Sequence, residues 1–233
     1  MDPRLTVVML NFRRPSNVRQ FVAAYAAMTD VVAAVTVVNC NPATTVDFPD
    51  HPAITTMTFS ADPGLTVRFA AGALARTEAV LHVDDDILLP PETVTGLWRA
   101  WQADTSRLYG LFGRNPAEDG SYTTVTAHGP CEALLTRAVL GSRSLCGRAA
   151  EYTQQMTEAL GGEPWGNGED LVLGYTALRM SGRLNRALDL PYTDIGDSDA
   201  HAISVRYTGH LAHRAEVVRW CRRTLLDNQV PRE

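Results

Sequence analysis

The sequence predicts a single-domain α/β protein with a mixed, mostly parallel sheet and helices on both faces. Three observations predict it. Short, apolar, β-branched runs of the kind buried on both sides of a parallel sheet alternate with amphipathic stretches at helical spacing. The order in the first half is strand, helix, strand, strand, helix, strand, which is how an open wound sheet begins. The 233 residues hold no internal repeat, low-complexity tract or linker that would divide them, and a chain of this length buries a core without a metal or disulfide staple.

Residues 5–10 form the first strand, which stops at Asn11-Phe12-Arg13-Arg14-Pro15-Ser16. Ser16 is a candidate cap for a helix over 17–28, whose Val18, Phe21, Val22 and Tyr25 share one face. A second buried strand, 33–38, ends at Asn39-Cys40-Asn41-Pro42, and 54–59 is a third, with threonines alternating through it. Residues 67–75 read as a helix and 79–83 as an apolar strand that runs into Asp84-Asp85-Asp86. The second half is less regular. Residues 92–103 are amphipathic, with Val94, Leu97, Trp98 and Trp101 at helical spacing, and 108–112 and 122–127 read as strands around a polar turn at 116–121. Helices are expected at 149–160 and 169–180, separated by the glycine-rich stretch 161–168. Residues 187–192 make a short strand, and 217–226 a closing helix.

Composition removes several function classes. The hydrophobic and charged fractions, 45% and 20%, are those of a soluble globular chain. A net charge of −5 with no basic tract argues against nucleic acid as the main partner. All 21 basic residues are arginine, so a Schiff-base lysine, a phosphate-loop lysine and the ATP lysine of kinases are excluded in their usual forms. The four cysteines stand singly, without zinc or secreted-scaffold spacing. No apolar run approaches the roughly 20 residues of a membrane span. The N-terminus leads straight into a strand rather than a signal peptide, which points to the cytoplasm. Arginine in place of lysine, with abundant Ala, Gly and Val, points to a GC-rich bacterial genome.

Ligands of open α/β sheets bind beyond the carboxyl ends of the strands, and the aspartate run sits at such an end. Three adjacent carboxylates repel one another unless a cation joins them. A hard divalent ion, Mn²⁺ or Mg²⁺, held by one or two carboxylates and sharing its other positions with phosphates, answers that need. The plainer reading is an exposed acidic turn. Arg14 and Arg68 lie on the same sheet edge as the aspartates if the strands are parallel, and an arginine fork suits phosphate. Each, taken alone, is also an ordinary surface residue. Glu169-Asp170 opens a helix after Pro164-Trp165-Gly166-Asn167-Gly168. Acids there complement the helix dipole, while the glycines let a ligand approach the backbone. His210, His213 and Arg214 form a cationic cluster before the last helix with no third zinc ligand in reach. His82, His128, Trp98 and Trp101 read as core or surface residues.

Taken in order, these segments resemble the exostosin-like N-acetylhexosaminyltransferases. The resemblance rests on Ala79-Val80-Leu81-His82-Val83-Asp84-Asp85-Asp86, on Trp101-Gln102 and the segment ending at Arg114, on Asn167-Gly168-Glu169-Asp170, and on His210-Leu211-Ala212-His213-Arg214. It implies a glycosyltransferase type A (GT-A) fold, a UDP-sugar donor used with Mn²⁺, and retention of anomeric configuration. Residues 1–115 are then the nucleotide-binding half and 116–233 the acceptor and catalytic half. By the same resemblance Asp86 is the metal ligand, Asp84 and Asp85 lie by the ribose and the metal's outer shell, and Arg14 and Arg68 bind the donor. Asn39 falls by the uracil, Asp170 beside the anomeric carbon, and Arg214 near the pyrophosphate. The chain departs from the resemblance in two ways. No membrane anchor is expected from its apolar runs, and the family's disulfide positions appear as Gly168 and Val217. The acceptor stretch, 113–127, does not match, so a small molecule, glycan or lipid-linked hydroxyl replaces heparan sulfate as the expected acceptor. Monomer and homodimer both stay open. Three readings compete: an inverting type A transferase with an acid near Asp170 as general base, a nucleotidyltransferase, and a non-catalytic sensor of nucleotide sugars.

Overall fold

On the first strand Leu5, Val7 and Met9 join one hydrophobic cluster and Val8 and Leu10 another. A strand with apolar side chains on both faces belongs in the middle of a covered sheet, and that is where this one lies. The computed structural model describes residues 2–48, 51–121, 125–162, 167–195 and 209–226. Its strands are β1 (Asp2–Asn11), β2 (Val32–Asn39), β3 (Ile54–Thr58), β4 (Thr77–Val83), β5 (Ile87–Leu88), β6 (Tyr109–Gly110), β7 (Gly113–Arg114), β8 (Gly129–Cys131), β9 (Ala133–Leu134), β10 (Ala138–Ser142), β11 (Asn185–Ala187) and β12 (Thr193–Asp194). Eight of them form one sheet in the order β3-β2-β1-β4-β10-β6-β11-β8. The four-strand block β3-β2-β1-β4 is parallel, as is β6 with β11, while β10 runs antiparallel to both its neighbours and β8 antiparallel to β11. Strands β5 and β12 pair on their own, as do β7 and β9.

The helices are α1 (Pro15–Ala26), α2 (Val67–Ala73), α3 (Pro91–Ala103), α4 (Arg143–Ala159), α5 (Glu169–Ser181) and α6 (His210–Cys221), the last continued by a π-helical turn over Arg222–Leu226. Val18, Phe21 and Val22 of α1 and Val94, Leu97 and Trp101 of α3 pack on one face of the sheet. Val67 and Phe69 of α2, Leu145 and Cys146 of α4, and Leu173 and Ala177 of α5 cover the other. A third cluster, with Tyr175, Val217, Trp220 and Leu225, fixes α6 against the outer side of α5. The fold is thus the expected one, an α/β domain of GT-A type with helices on both faces. No helix among the described residues is long and apolar enough to cross a membrane.

Several boundaries differ from the sequence reading. Helix α1 begins at Pro15 with Arg14 in the cap position and no side-chain cap, because proline at the first helical residue presets φ and has no N–H to satisfy. Ser16 is therefore inside the helix. The strand read at 108–112 is only Tyr109–Gly110. Of the strand read at 122–127, residues 122–124 lie outside the described residues and Thr126 makes an isolated bridge to Gly113. Strand β10, central between β4 and β6, is not among the expected elements. Helix α4 starts at Arg143, where the Ser142 hydroxyl accepts the Leu145 N–H at 3.3 Å. The strand read at 187–192 is not formed: β11 ends at Ala187 and β12 begins at Thr193. The last helix starts at His210, after Gly209 at φ 100°, so His210, His213 and Arg214 lie within its first turns rather than before it.

Candidate active site

Parallel pairing of β1 with β4, Met9 beside Val83, brings the loop after β1 and the aspartates after β4 to one end of the sheet. There every aspartate meets its own guanidinium. Arg14 Nη1 donates to Asp85 Oδ1 at 2.6 Å, Arg68 Nη1 to Asp84 Oδ1 at 2.9 Å, and Arg137 Nε to Asp86 Oδ1 at 3.0 Å. The repulsion that the sequence reading relieves with a metal is met, in the protein alone, by three arginines. Asn17 Nδ2 adds a bond to the Asp85 carbonyl at 3.0 Å, which fixes the turn. Burial raises the Asp85 carboxyl to about 6 against the pull of Arg14.

Arg68 is the hinge of the site. It is buried on α2, and its fork also reaches the Thr136 carbonyl at 3.2 Å and the Leu65 carbonyl at 3.3 Å. Burial disfavours its charge, but Asp84 and Glu169 outweigh that and hold its pKa above the ordinary value. Glu169 Oε1 stands 3.8 Å from Arg68 Nε and accepts the Thr136 hydroxyl at 3.0 Å. Burial, reinforced by the neighbouring Asp170, lifts the Glu169 carboxyl to about 7 despite Arg68 and Arg214.

The next residue is held by α6. Arg214 Nη2 donates to Asp170 Oδ1 at 2.7 Å and Oδ2 at 2.6 Å, with both side chains 7% exposed, while Nη1 takes Asn167 Oδ1 at 3.1 Å. Asn167 Nδ2 meets His210 Nδ1 at 3.1 Å, and its carbonyl lies 3.1 Å from His213 Nε2. Both histidines are thereby engaged with Asn167, and burial lowers the pKa of His210. Gly168 makes this corner: its φ of 102° starts α5, and a Cβ there would lie 2.9 Å from Val217 Cγ2. The two positions matched to the family's disulfide are thus neighbours in space. All four cysteines are free and buried.

Asn39 ends β2 with its side chain turned into the protein. Its Oδ1 accepts Asn11 Nδ2 at 2.8 Å and its Nδ2 donates to the Thr44 carbonyl at 2.7 Å. It also lines a polar cavity of about 460 Å³ with Thr44, Asp47, His51, Thr56 and Thr58. His82 is a core residue, edge-on to Phe69 and 3.4 Å from Cys146 Sγ, and burial lowers its pKa to about 3. His128 is exposed, and Trp101 is buried on α3.

Arg14, Arg68, Asp84, Asp85 and Asp86 therefore meet at one end of the sheet, and Asp170 with Arg214 joins them through Glu169. Asn39 stands at the same strand ends, one strand further out. Sequence reasoning missed Thr136, Arg137 and Asp194, whose Oδ2 lies 2.7 Å from Arg137 Nη2. Thr136 and Arg137 precede β10, and that Ala-Val-Leu run ending in Gly-Ser was the signal that could have found them. The family model described as the glycosyl transferase family 64 domain matches residues 5–173, a span that takes in these residues up to Asp170 and ends before Asp194 and Arg214. No curated protein matches the chain.

Proposed function

The chain belongs to glycosyl transferase family 64, and from that premise we propose that it is a metal-dependent, retaining transferase moving a hexose or N-acetylhexosamine from a UDP-sugar to a hydroxyl acceptor. One observation carries the reading. Arg68 joins Asp84, in the aspartate run, to Glu169, beside Asp170, so the donor-side charges and the carboxylate assigned to the anomeric centre share one network. The acceptor is a small molecule, a glycan or a lipid-linked hydroxyl. Free, buried cysteines support a cytoplasmic location, where thiols stay reduced.

Asp86 fits Mn²⁺ or Mg²⁺ as a hard carboxylate ligand, since Arg137 engages Oδ1 and leaves Oδ2 to a second partner. Among the described residues no group of three or more His, Cys, Asp and Glu side chains could hold an ion, and an ion held by Asp86 would share its other positions with the donor phosphates. When bound, the ion stabilises as a Lewis acid the charge that develops on the departing nucleoside diphosphate. Arg14 and Arg68 hold Asp85 and Asp84 and present fixed positive charge to the phosphates. Asp84 and Asp85 lie by the ribose, and Asn39 by the base. Asp170 faces the sugar and stabilises its oxocarbenium character, while Arg214 keeps that carboxylate oriented and adds cationic charge near the pyrophosphate.

Calorimetry of UDP, GDP and dTDP with and without Mn²⁺, on wild type and Asp86→Ala, tests the proposal. The expected outcome is UDP binding that needs Mn²⁺ and is lost in Asp86→Ala. Binding without metal would overturn the metal assignment, preference for GDP or dTDP the donor class, and no binding at all the whole reading.

A further inference from the structure

Two guanidiniums, Arg68 and Arg214, face three carboxylates, Asp84, Glu169 and Asp170, in one network beneath the sheet end. The pairing is uneven. Asp84 has Arg68 at 2.9 Å and Asp170 has Arg214 at 2.6 Å, whereas the nearest cation to Glu169 is 3.8 Å away and already committed to Asp84. Glu169 is also buried, with the neutral Thr136 hydroxyl as its hydrogen-bond donor. A buried carboxylate without a cation of its own is stabilised by taking up a proton. The charged groups around it come from every element that packs there: Arg68 on α2, Asp84 after β4, Asp170 on its own helix, and Arg214 on α6. His210 on α6 is turned to Asn167.

We propose that Glu169 is the proton-carrying residue of this network and that binding of the anionic donor is coupled to its protonation. This rests on the reading of the site as a UDP-sugar site. A nucleoside diphosphate at the arginines adds negative charge beside a cluster that already has one carboxylate in excess, and the cluster answers by binding a proton at Glu169. Its burial-raised carboxyl, at about 7 in the free protein, makes that exchange accessible near neutral pH. Glu169 touches neither reactant. It acts through Arg68, which it leaves to the phosphates when neutral and draws toward itself when ionised.

The test is calorimetry of UDP with Mn²⁺ on wild type and Glu169→Gln, at several pH values and in buffers of different ionisation enthalpy. Gln keeps the acceptor for Thr136 and imitates the protonated acid. A one-unit coupling makes wild-type affinity fall about tenfold relative to Glu169→Gln from about pH 6 to about pH 9, with about half a proton taken up near pH 7.5 that the variant does not take up. The ionisation of UDP itself is common to both proteins and cancels in that comparison. If both bind with a constant affinity ratio and equal proton uptake, this inference is wrong and the proposed function stands. If neither binds, both fall. Should Glu169→Gln fail to fold, Thr136→Val decides: it removes the hydroxyl that favours the ionised acid and leaves every charge in place. The pH midpoint then moves upward, and an unmoved midpoint refutes the proposal.

Discussion

The two ends of the charged network are built differently. At the strand ends, Arg14–Asp85 and Arg68–Asp84 lie under the lip of the sheet, with Asp84 33% exposed, Arg14 and Asp85 13% each and Arg68 4%. On α5, Asp170 and Arg214 are sealed at 7% exposure each and braced by Asn167. Of the first group Asp84 alone is substantially wet, so it is the member most free to trade partners with a ligand. A buried pair cannot lose one member without stranding the other. The contrast teaches that substitutions at the strand ends report on ligand binding, whereas substitutions at Asp170 or Arg214 report on the fold as well and need isosteric changes to be interpreted.

The sharpest way to break that comparison is to remove one arginine from each end. Arg214→Ala should cost about 3–5 kcal/mol in urea unfolding, because it leaves Asp170 buried and unpaired. Arg14→Ala should cost less, about 1–3 kcal/mol, because the Asp85 it leaves unpaired has a raised carboxyl that can take up a proton. Similar losses at both sites would mean that the two ends do not differ in kind. Next in size is Asp170→Asn, which keeps shape and most hydrogen bonds. Turnover is expected to fall by about a hundredfold or more, with UDP affinity within about threefold of wild type, because the charge facing the sugar is lost, while the stranded Arg214 shows separately as a loss of stability. Equal losses in both quantities would reduce Asp170 to a support for the fold.

The smallest effect concerns pH. Glu169 at about 7 and Asp85 at about 6 both lie above their ordinary values of 4.5 and 3.8. Raised carboxyls favour the native state while protonated, so the stability they contribute is complete below the unfolded values and fades as pH rises through about 6 and 7. Glu169→Gln removes its part of this dependence. The variant should therefore gain on wild type between about pH 5 and about pH 8 in chemical denaturation. A difference that does not change with pH would show that Glu169 is ionised throughout.

Much of this molecule was legible in the chain. The parallel block β3-β2-β1-β4 follows from apolar β-branched runs whose two-sided burial leaves few alternatives. The second half was harder to read. Strands of two or three residues such as β6, β8 and β11 are too short to show a period, and β10 was passed over although it is fully apolar up to Gly141. The start of α6 was missed because His210, His213 and Arg214 look like solvated loop residues until Asn167 and Asp170 are seen to receive them.

By itself the sequence determined the fold class, the aspartate run at the end of an apolar strand, and the absence of lysine chemistry. These are local or compositional facts that survive without knowing which segments meet. Tertiary structure alone decided how the charges are shared. Each aspartate has its own arginine, Arg137 reaches Asp86 across 51 positions, Arg214 reaches Asp170 across 44, and Glu169 shares the Arg68 already bonded to Asp84. The physical reason is that electrostatic free energy depends on distance and burial, and both are set by packing between segments that are far apart in the chain.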